Sequence, residues 1–298
     1  MADTIDGIFN INKPPGMTSH DVVSVVRRLS GQRRVGHAGT LDPAAEGVLL
    51  VCLGQATRVV EYLMGSTKIY CGRVCLGVET DTYDAEGRVV ATRPWEHVSR
   101  ADVENAVASF VGRIRQVPPA YAALKQGGVP LYKLARAGVP VEPQAREVEI
   151  YSARVLDWTP PSFTLELVCS PGTYVRSVAH DVGERLGTGA HLSGLVRLAS
   201  GRFTIQDAVP LPVLSDAFAH SYWQSLIYPI DEALLDADAI ILSAEREKDA
   251  VQGKTWQATS ASPPKHDWVR AYSAEGKLVA ITTLDVATRQ WQPKKVFA

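Results

Sequence analysis

The chain has 298 residues, 46% of them hydrophobic and 21% charged. That length suits two domains with a sizeable core, and that composition excludes a wholly disordered chain. Thirty-one basic residues against thirty-two acidic ones leave a net charge of −1, which excludes a globally basic polyanion binder but not a locally basic one. The longest apolar run, Val48 to Leu53, is too short to cross a bilayer. Met1 to Asn10 carries two aspartates and no apolar stretch, so a cytoplasmic protein without a secretory signal is expected.

Ile8, Phe9 and Ile11 predict a short strand ending at Lys13-Pro14-Pro15-Gly16. Thr18 with Asp21 forms a capping box, Val22, Val25, Val26 and Leu29 recur at helical spacing, and Gly31 stops the helix. Ser19-His20-Asp21 contains the three residue types of a catalytic triad, but neighbours on one chain point apart, and a helix cap is the better reading. Val48 to Leu53 reads as a buried strand, Lys68 to Leu76 as an alternating one, and Gly77 to Val90 as a hairpin turning at Glu86-Gly87. Ser99 with Asp102 caps a second helix, running to Gly112 with Val103, Val107 and Phe110 on one face. Val117 to Val141, rich in proline and holding Gly127, Gly128 and Gly138, reads as a long irregular excursion of the kind that is functional or disordered.

Strands follow at Glu147 to Trp158 and Phe163 to Ser170, then a short helix after Pro171-Gly172. Composition shifts between Pro210 and Pro229, and a domain boundary is expected between about residues 225 and 240. Leu242 to Val251 predicts a helix ending at Gly253. Val269 to Tyr272 and Leu278 to Leu284 predict a final hairpin around Ala274-Glu275-Gly276.

Three stretches carry no acid. They hold Arg27, Arg28, Arg33 and Arg34; then Arg113, Arg115, Lys125, Lys133 and Arg136; then Arg185, Arg197 and Arg202. Acids concentrate elsewhere, as at Glu79, Asp81, Asp84 and Glu86. Local basic stretches in a neutral protein are either a footprint for phosphates or solvated faces. The cysteines Cys52, Cys71, Cys75 and Cys169 form no C-x-x-C pair and read as buried reduced thiols. The chain has no P-loop, no H-E-x-x-H and no Cys/His cluster, and Gly187-Thr188-Gly189 lacks the third glycine of a dinucleotide fingerprint. Chemistry without metal or cofactor is expected.

The densest special chemistry is Arg33-Arg34-Val35-Gly36-His37-Ala38-Gly39-Thr40-Leu41-Asp42-Pro43. Its glycines allow close backbone approach, and His37 offers a ring to stack or donate. Asp42, the only carboxylate for about twenty residues upstream, is expected to keep a depressed pKa amid arginines, which suits a nucleophile. From these residues alone an Asp-Pro turn is the better reading.

Gly36-His37-Ala38-Gly39-Thr40-Leu41-Asp42-Pro43-Ala44-Ala45-Glu46-Gly47-Val48-Leu49 resembles the catalytic motif of the TruB family of tRNA pseudouridine synthases. Asn12 to Ser19 resembles that family's first motif and Lys68-Ile69-Tyr70 its K-x-Y strand. Gly172-Thr173-Tyr174-Val175-Arg176-Ser177 resembles its G-T-Y-[IV]-R-[ST] motif, and Gly189 to Arg197 its closing strand. The tail from Pro293 to Phe297 resembles the family's C-terminal PUA-like domain. Departures are confined to Ala38, Ala44 and Ala45 with Glu46, at tolerant positions.

The resemblance implies an α+β protein: a pseudouridine synthase fold with a mixed, mainly antiparallel sheet over residues 1–232, an RNA-gripping insertion near 113–146, and a small PUA-like β domain over 233–298. It implies isomerisation of uridine 55 in the tRNA T loop, with neither metal nor cofactor, by a monomer that needs no guide RNA. Asp42 matches the catalytic aspartate and Arg176 the arginine paired with it. Tyr70 matches the tyrosine stacked on the target base, Tyr174 and Leu195 match residues lining the base pocket, and His37 matches a histidine packed against the rearranged loop. Lys13 matches a supporting lysine. The rival reading is a non-catalytic tRNA-binding or tRNA-folding protein on the same scaffold.

Overall fold

The computed structural model describes residues 4–121, 125–131, 134, 137, 139, 141, 143–258 and 264–297. Its larger sheet has eleven strands. The main path runs Val209–Pro210, Gly7–Lys13, Glu46–Leu53, Ala190–Ser200, Lys68–Leu76, Ser162–Cys169, Arg146–Thr159, Gly112–Gln116. Only two of its pairs are parallel, Gly7–Lys13 with Val209–Pro210 and Ala190–Ser200 with Glu46–Leu53, so the sheet is mixed and mainly antiparallel. A second sheet of five strands orders Ala239–Ile241, Val269–Tyr272, Leu278–Asp285, Gln290–Val296, Trp256–Gln257. The fold class is α+β.

Local sequence signals explain most elements. The helix Ser19–Ser30 begins on Thr18, whose hydroxyl accepts from the Asp21 amide while the Asp21 carboxylate accepts from the Thr18 amide. It ends at Gly31, where φ is 65°. Ser99 and Asp102 cap Arg100–Ala108 in the same reciprocal way. The strand Glu46–Leu53 is apolar along nearly its whole length because both its faces are covered. Leu49, Val51 and Leu53 pack with Val22 and Val26 of the first helix, while Val48, Leu50 and Cys52 pack with Ala56, Leu63 and Phe203. Each fully buried Leu or Val here is worth roughly 1.5–3 kcal/mol. Arg146–Thr159 and Ser162–Cys169 form a long hairpin, and Val78–Thr80 pairs with Val89–Thr92.

Three expectations need correction. The hairpin of Val269–Tyr272 and Leu278–Asp285 is not the last, for Gln290–Val296 adds a further strand. Its Pro293 hides the strand pattern and sits beside a register shift, where a missing N–H is tolerated. The stretch from Pro210 contains an unforeseen helix, Leu211–Ala219, entered through Pro210 and carrying Pro212 in its first turn. Of the four free cysteines, Cys52 and Cys169 are buried, but Cys71 and Cys75 are only half-buried, on the outer face of Lys68–Leu76.

The smaller sheet packs, through Ile281 and Phe297, on Val59 and Leu234 of two short helical turns. Arg58 lies 5.4 Å over the Phe297 ring, and Lys295 pairs with Glu61. Among the described residues no helix is long and apolar enough to cross a membrane.

Two glycines fix how the strands around the central cleft approach each other. At Gly183, near the end of the helix Val175–Arg185, a Cβ would stand 2.2 Å from the Ala190 amide nitrogen. At Gly47, with φ of 99°, a Cβ would stand 2.3 Å from the Arg197 carbonyl oxygen. Neither backbone can yield without breaking the ladder. Gly47→Ala is therefore expected to destabilise the fold by about 2 kcal/mol or more. Urea unfolding of both proteins checks it, and an unchanged midpoint would contradict the close approach.

Candidate active site

A cleft of about 380 Å³ opens between the loop after Val35–His37, the strand Lys68–Leu76 and the start of the helix Val175–Arg185. Its volume falls in the roughly 300–1,000 Å³ range of small-ligand clefts. Asp42, Tyr70, Tyr174, Arg176, Leu195 and Arg197 all line it.

The Asp42 loop is fastened at several of its backbone polar groups. Ser19 Oγ donates to the Leu41 carbonyl at 3.0 Å and accepts from the Leu41 amide at 2.8 Å. The Gly16 amide donates to the Pro43 carbonyl at 2.9 Å. Lys13, fully buried, spends its ammonium on the carbonyls of Pro14, Met17 and Pro43 at 2.9, 2.6 and 3.1 Å. Arg197, 1% exposed, donates from Nε to Val48 O at 2.6 Å and from Nη2 to Gly39 O at 3.1 Å. Buried carbonyls of an irregular loop need donors, and here two buried cations supply them. Burial pulls the Lys13 pKa down, with nearby Asp42 opposing.

Arg176 is 5% exposed and sits in the first turn of its helix, where a positive charge opposes the helix dipole. Two carboxylates offset it. Its Nε stands 3.0 Å from Asp42 Oδ2, as an ion pair without hydrogen-bond alignment. Its Nη1 donates to Asp84 Oδ2 at 3.0 Å and to the Thr82 carbonyl at 3.3 Å, and Nη2 donates to the Tyr121 carbonyl at 3.4 Å. The Asp42 side chain keeps 41% of its surface open to the cleft, whereas that of Asp84 keeps 16%.

The expected depression of the Asp42 pKa is overturned. Burial pushes it up, Arg176 and Lys13 pull it down less strongly, and Asp84 adds to the rise. The arginines adjacent in sequence do not face it: Arg33 and Arg34 are exposed and line a separate cavity with Asp6 and Gln32.

Tyr70 forms part of the floor at 9% exposure, and burial pushes its hydroxyl pKa up. Tyr174 is the helix N-cap, with the Arg146 guanidinium 5.8 Å from its ring centre. Leu195 projects from Ala190–Ser200. His37 is the exception. It lies at the end of its strand, outside the residues lining the cleft, and its buried Nδ1 has no hydrogen-bond partner among the described residues. Burial, then Arg197, pulls its pKa down and favours the neutral ring.

Sequence reasoning missed Asp84, which it counted among acids lying elsewhere; the turn after Val78–Thr80 brings it onto Arg176. Lys68, lining the cleft beside Tyr70, has its pKa pulled down to about 7, by burial first and then by Arg197. Its ammonium donates to the carbonyls of Leu63, Met64 and Ser66. The third basic stretch forms no continuous cationic face: Arg197 is buried, exposed Arg202 pairs with Glu232 at 3.0 Å, and exposed Arg185 lies over Phe110. Arg113 and Arg115 are exposed on the edge strand Gly112–Gln116, while Lys133, Arg136 and the Lys125 side chain lie outside what is described.

An open carboxylate braced by a buried arginine thus stands between two tyrosines at the centre of the cleft. Residues 27–175 match the TruB family pseudouridylate synthase N-terminal domain, and 176–235 match the tRNA pseudouridylate synthase B C-terminal domain. The tRNA pseudouridine synthase B of Syntrophotalea carbinolica is 46% identical over 241 residues, 81% of this chain and 78% of that protein. That of Dehalococcoides mccartyi (strain CBDB1) is 40% identical over 293 residues, 98% of this chain and 97% of that one. A solved H/ACA ribonucleoprotein bound to a substrate RNA containing 2′-deoxyuridine holds a chain of the same fold. It matches with a TM-score of 0.76 at 24% identity, over 98% of this chain and 85% of that one. The chain belongs to the TruB family.

The raised Asp42 pKa has a consequence for stability. A proton bound more tightly in the folded state stabilises the fold at low pH, and that contribution is lost as pH rises through the raised value. Asp42→Asn is therefore expected to melt at an equal or higher temperature than the wild type at pH 7. The difference should vanish as pH falls to the ordinary carboxylate value of about 4. Melting curves from pH 4 to 8 check this. A mutant less stable at pH 7 would mean that the Arg176 contact outweighs burial.

Proposed function

We propose that this chain isomerises uridine to pseudouridine at position 55 in the T loop of tRNA, acting as a cytoplasmic monomer without guide RNA. The observation that carries the reading is the half-open Asp42 carboxylate held against buried Arg176 in a cleft floored by Tyr70. The isomerisation breaks the N1–C1′ bond, turns the uracil and joins C5 to C1′. C5 loses a proton and N1 gains one, so nothing need be supplied from outside. Asp42 in its ionised form starts the cleavage, and Arg176 and Lys13 oppose the burial that would protonate it.

A uracil inside a folded T loop must be extruded, at a cost of a few kcal/mol. Stacking on an aromatic ring returns roughly 1–3 kcal/mol per base, which is the part we give Tyr70. Tyr174 and Leu195 wall the pocket, while His37 packs behind the Asp42 loop rather than touching the base. Residues 1–232 then form the catalytic domain. The second sheet is a PUA-like domain, within 233–298, holding another part of the tRNA. The exposed Arg113 and Arg115 begin the insertion near 113–146 that grips RNA phosphates, since structured RNA is selected by shape and backbone contacts.

Tritium release from C5-labelled uridine in an unmodified T stem-loop tests the reaction. Wild-type protein should release it and Asp42→Asn should not. Binding without release by either protein would favour the non-catalytic RNA-binding reading. The grip has its own test: tRNA affinity should fall log-linearly with salt, and Arg113→Glu or Arg115→Glu should flatten that slope by about one unit each. An unaltered slope would remove both arginines from the interface.

A further inference from the structure

The hydroxyl that closes Gly172-Thr173-Tyr174-Val175-Arg176-Ser177 has no part in the chemistry above, nor has the fully buried Gln116. Both lie on one seam. Gln116 ends the edge strand Gly112–Gln116 and clasps the backbone of Tyr174, accepting from its amide at 2.8 Å and donating to its carbonyl at 3.1 Å. Tyr174 begins the helix but has no side-chain cap of its own, so Gln116 secures that start from outside. One turn on, Ser177 Oγ, 1% exposed, donates to the Val117 carbonyl at 2.8 Å. Between these two clasps, Arg176 Nη2 donates to the Tyr121 carbonyl. The segment from Val117 to Tyr121 holds two buried prolines, Pro118 and Pro119, whose fixed φ stiffens it. Arg176 is thus gripped by two jaws, Thr82 with Asp84 on one side and the Gln116 to Tyr121 segment on the other.

We propose that Gln116 and Ser177 are positioning residues, which fasten the root of the insertion to the first turn of the Arg176 helix and so set that arginine against Asp42. The inference rests on the reading of Asp42 as the reacting group. A loosened seam lets Arg176 follow Asp84 and leaves Asp42 less well paired. The charged and titratable groups facing Asp42 are Arg176, Asp84, Lys13, Tyr70 and Tyr174, and Arg176 is the strongest of those that lower its pKa. Weakening its hold therefore moves the acid limb of the rate profile to higher pH.

Single-turnover tritium release with the full chain, from pH 4 to 8, separates the possibilities. Ser177→Ala and Gln116→Leu should each slow the step at least tenfold with KM for the stem-loop within twofold, and should shift the acid limb upward. Ser177→Thr, which keeps the hydroxyl, should restore rate and profile. Folded variants with wild-type rate and pH profile would overturn the proposal, and so would a loss that Ser177→Thr fails to rescue. If Ser177→Ala does not fold, Gln116→Leu against Ser177→Thr decides on the same readouts. A wild-type protein that releases no tritium would instead sink the reading of Asp42, and this inference with it.

Discussion

The guanidinium of Arg176 cannot shed its proton, so a charge buried at 5% exposure must be answered by the protein around it. An unanswered ion in such a place costs several kcal/mol. Two carboxylates and two carbonyls converge on it from three separate stretches of chain, and that requirement shapes much of the molecule. The turn after Val78–Thr80 delivers Asp84, the stretch after Gly112–Gln116 delivers the Tyr121 carbonyl, and the loop after Val35–His37 delivers Asp42. Asp84 is enclosed and well hydrogen-bonded, with its other oxygen accepting from Thr82 and the Glu86 amide. Asp42 alone is left with an open face. One arginine thus holds an enclosed carboxylate and an open one, and the difference in enclosure leaves only Asp42 accessible from the cleft.

The same economy governs the loop. Lys13 and Arg197 are among the largest fully buried side chains, yet among the described residues neither pairs with a carboxylate within hydrogen-bond reach. Apart from Val48 on its strand, the carbonyls they reach belong to non-helical, non-sheet segments that would otherwise leave them unsatisfied. A loop held this way keeps its conformation without regular secondary structure, and so keeps the Asp42 carboxylate in one orientation.

Much of this was legible in the sequence. Thr18 with Asp21 and Ser99 with Asp102 announced their helices because capping is a local interaction, and the six-residue apolar run from Val48 announced a strand covered on both faces. Asp42, Tyr70, Tyr174, Arg176 and Leu195 were found through motifs, and all five line one cleft. What failed was long-range. The direction of the Asp42 pKa was misjudged because burial, the largest influence on it, arises only in the fold, while Arg33 and Arg34, its neighbours in sequence, face away. Asp84 was passed over because its sequence neighbours are acids. The third basic stretch dissolved because one arginine entered the core and another found an acid. Charge read along a chain says little about charge read across a fold.

The close approach at Gly183 reaches beyond packing. With no Cβ there, the end of the Arg176 helix presses directly on Ala190, where the strand bearing Leu195 and Arg197 begins. Arg176 and Leu195, on two walls of the cleft, therefore belong to one rigid piece, and Arg197 ties that piece to the Asp42 loop. Walls joined in this way have little freedom to spread around an incoming nucleotide. On the proposed role of Asp42, the deformation needed for a base to reach it falls on the RNA, so the pliancy of the nucleic acid becomes part of what the protein selects.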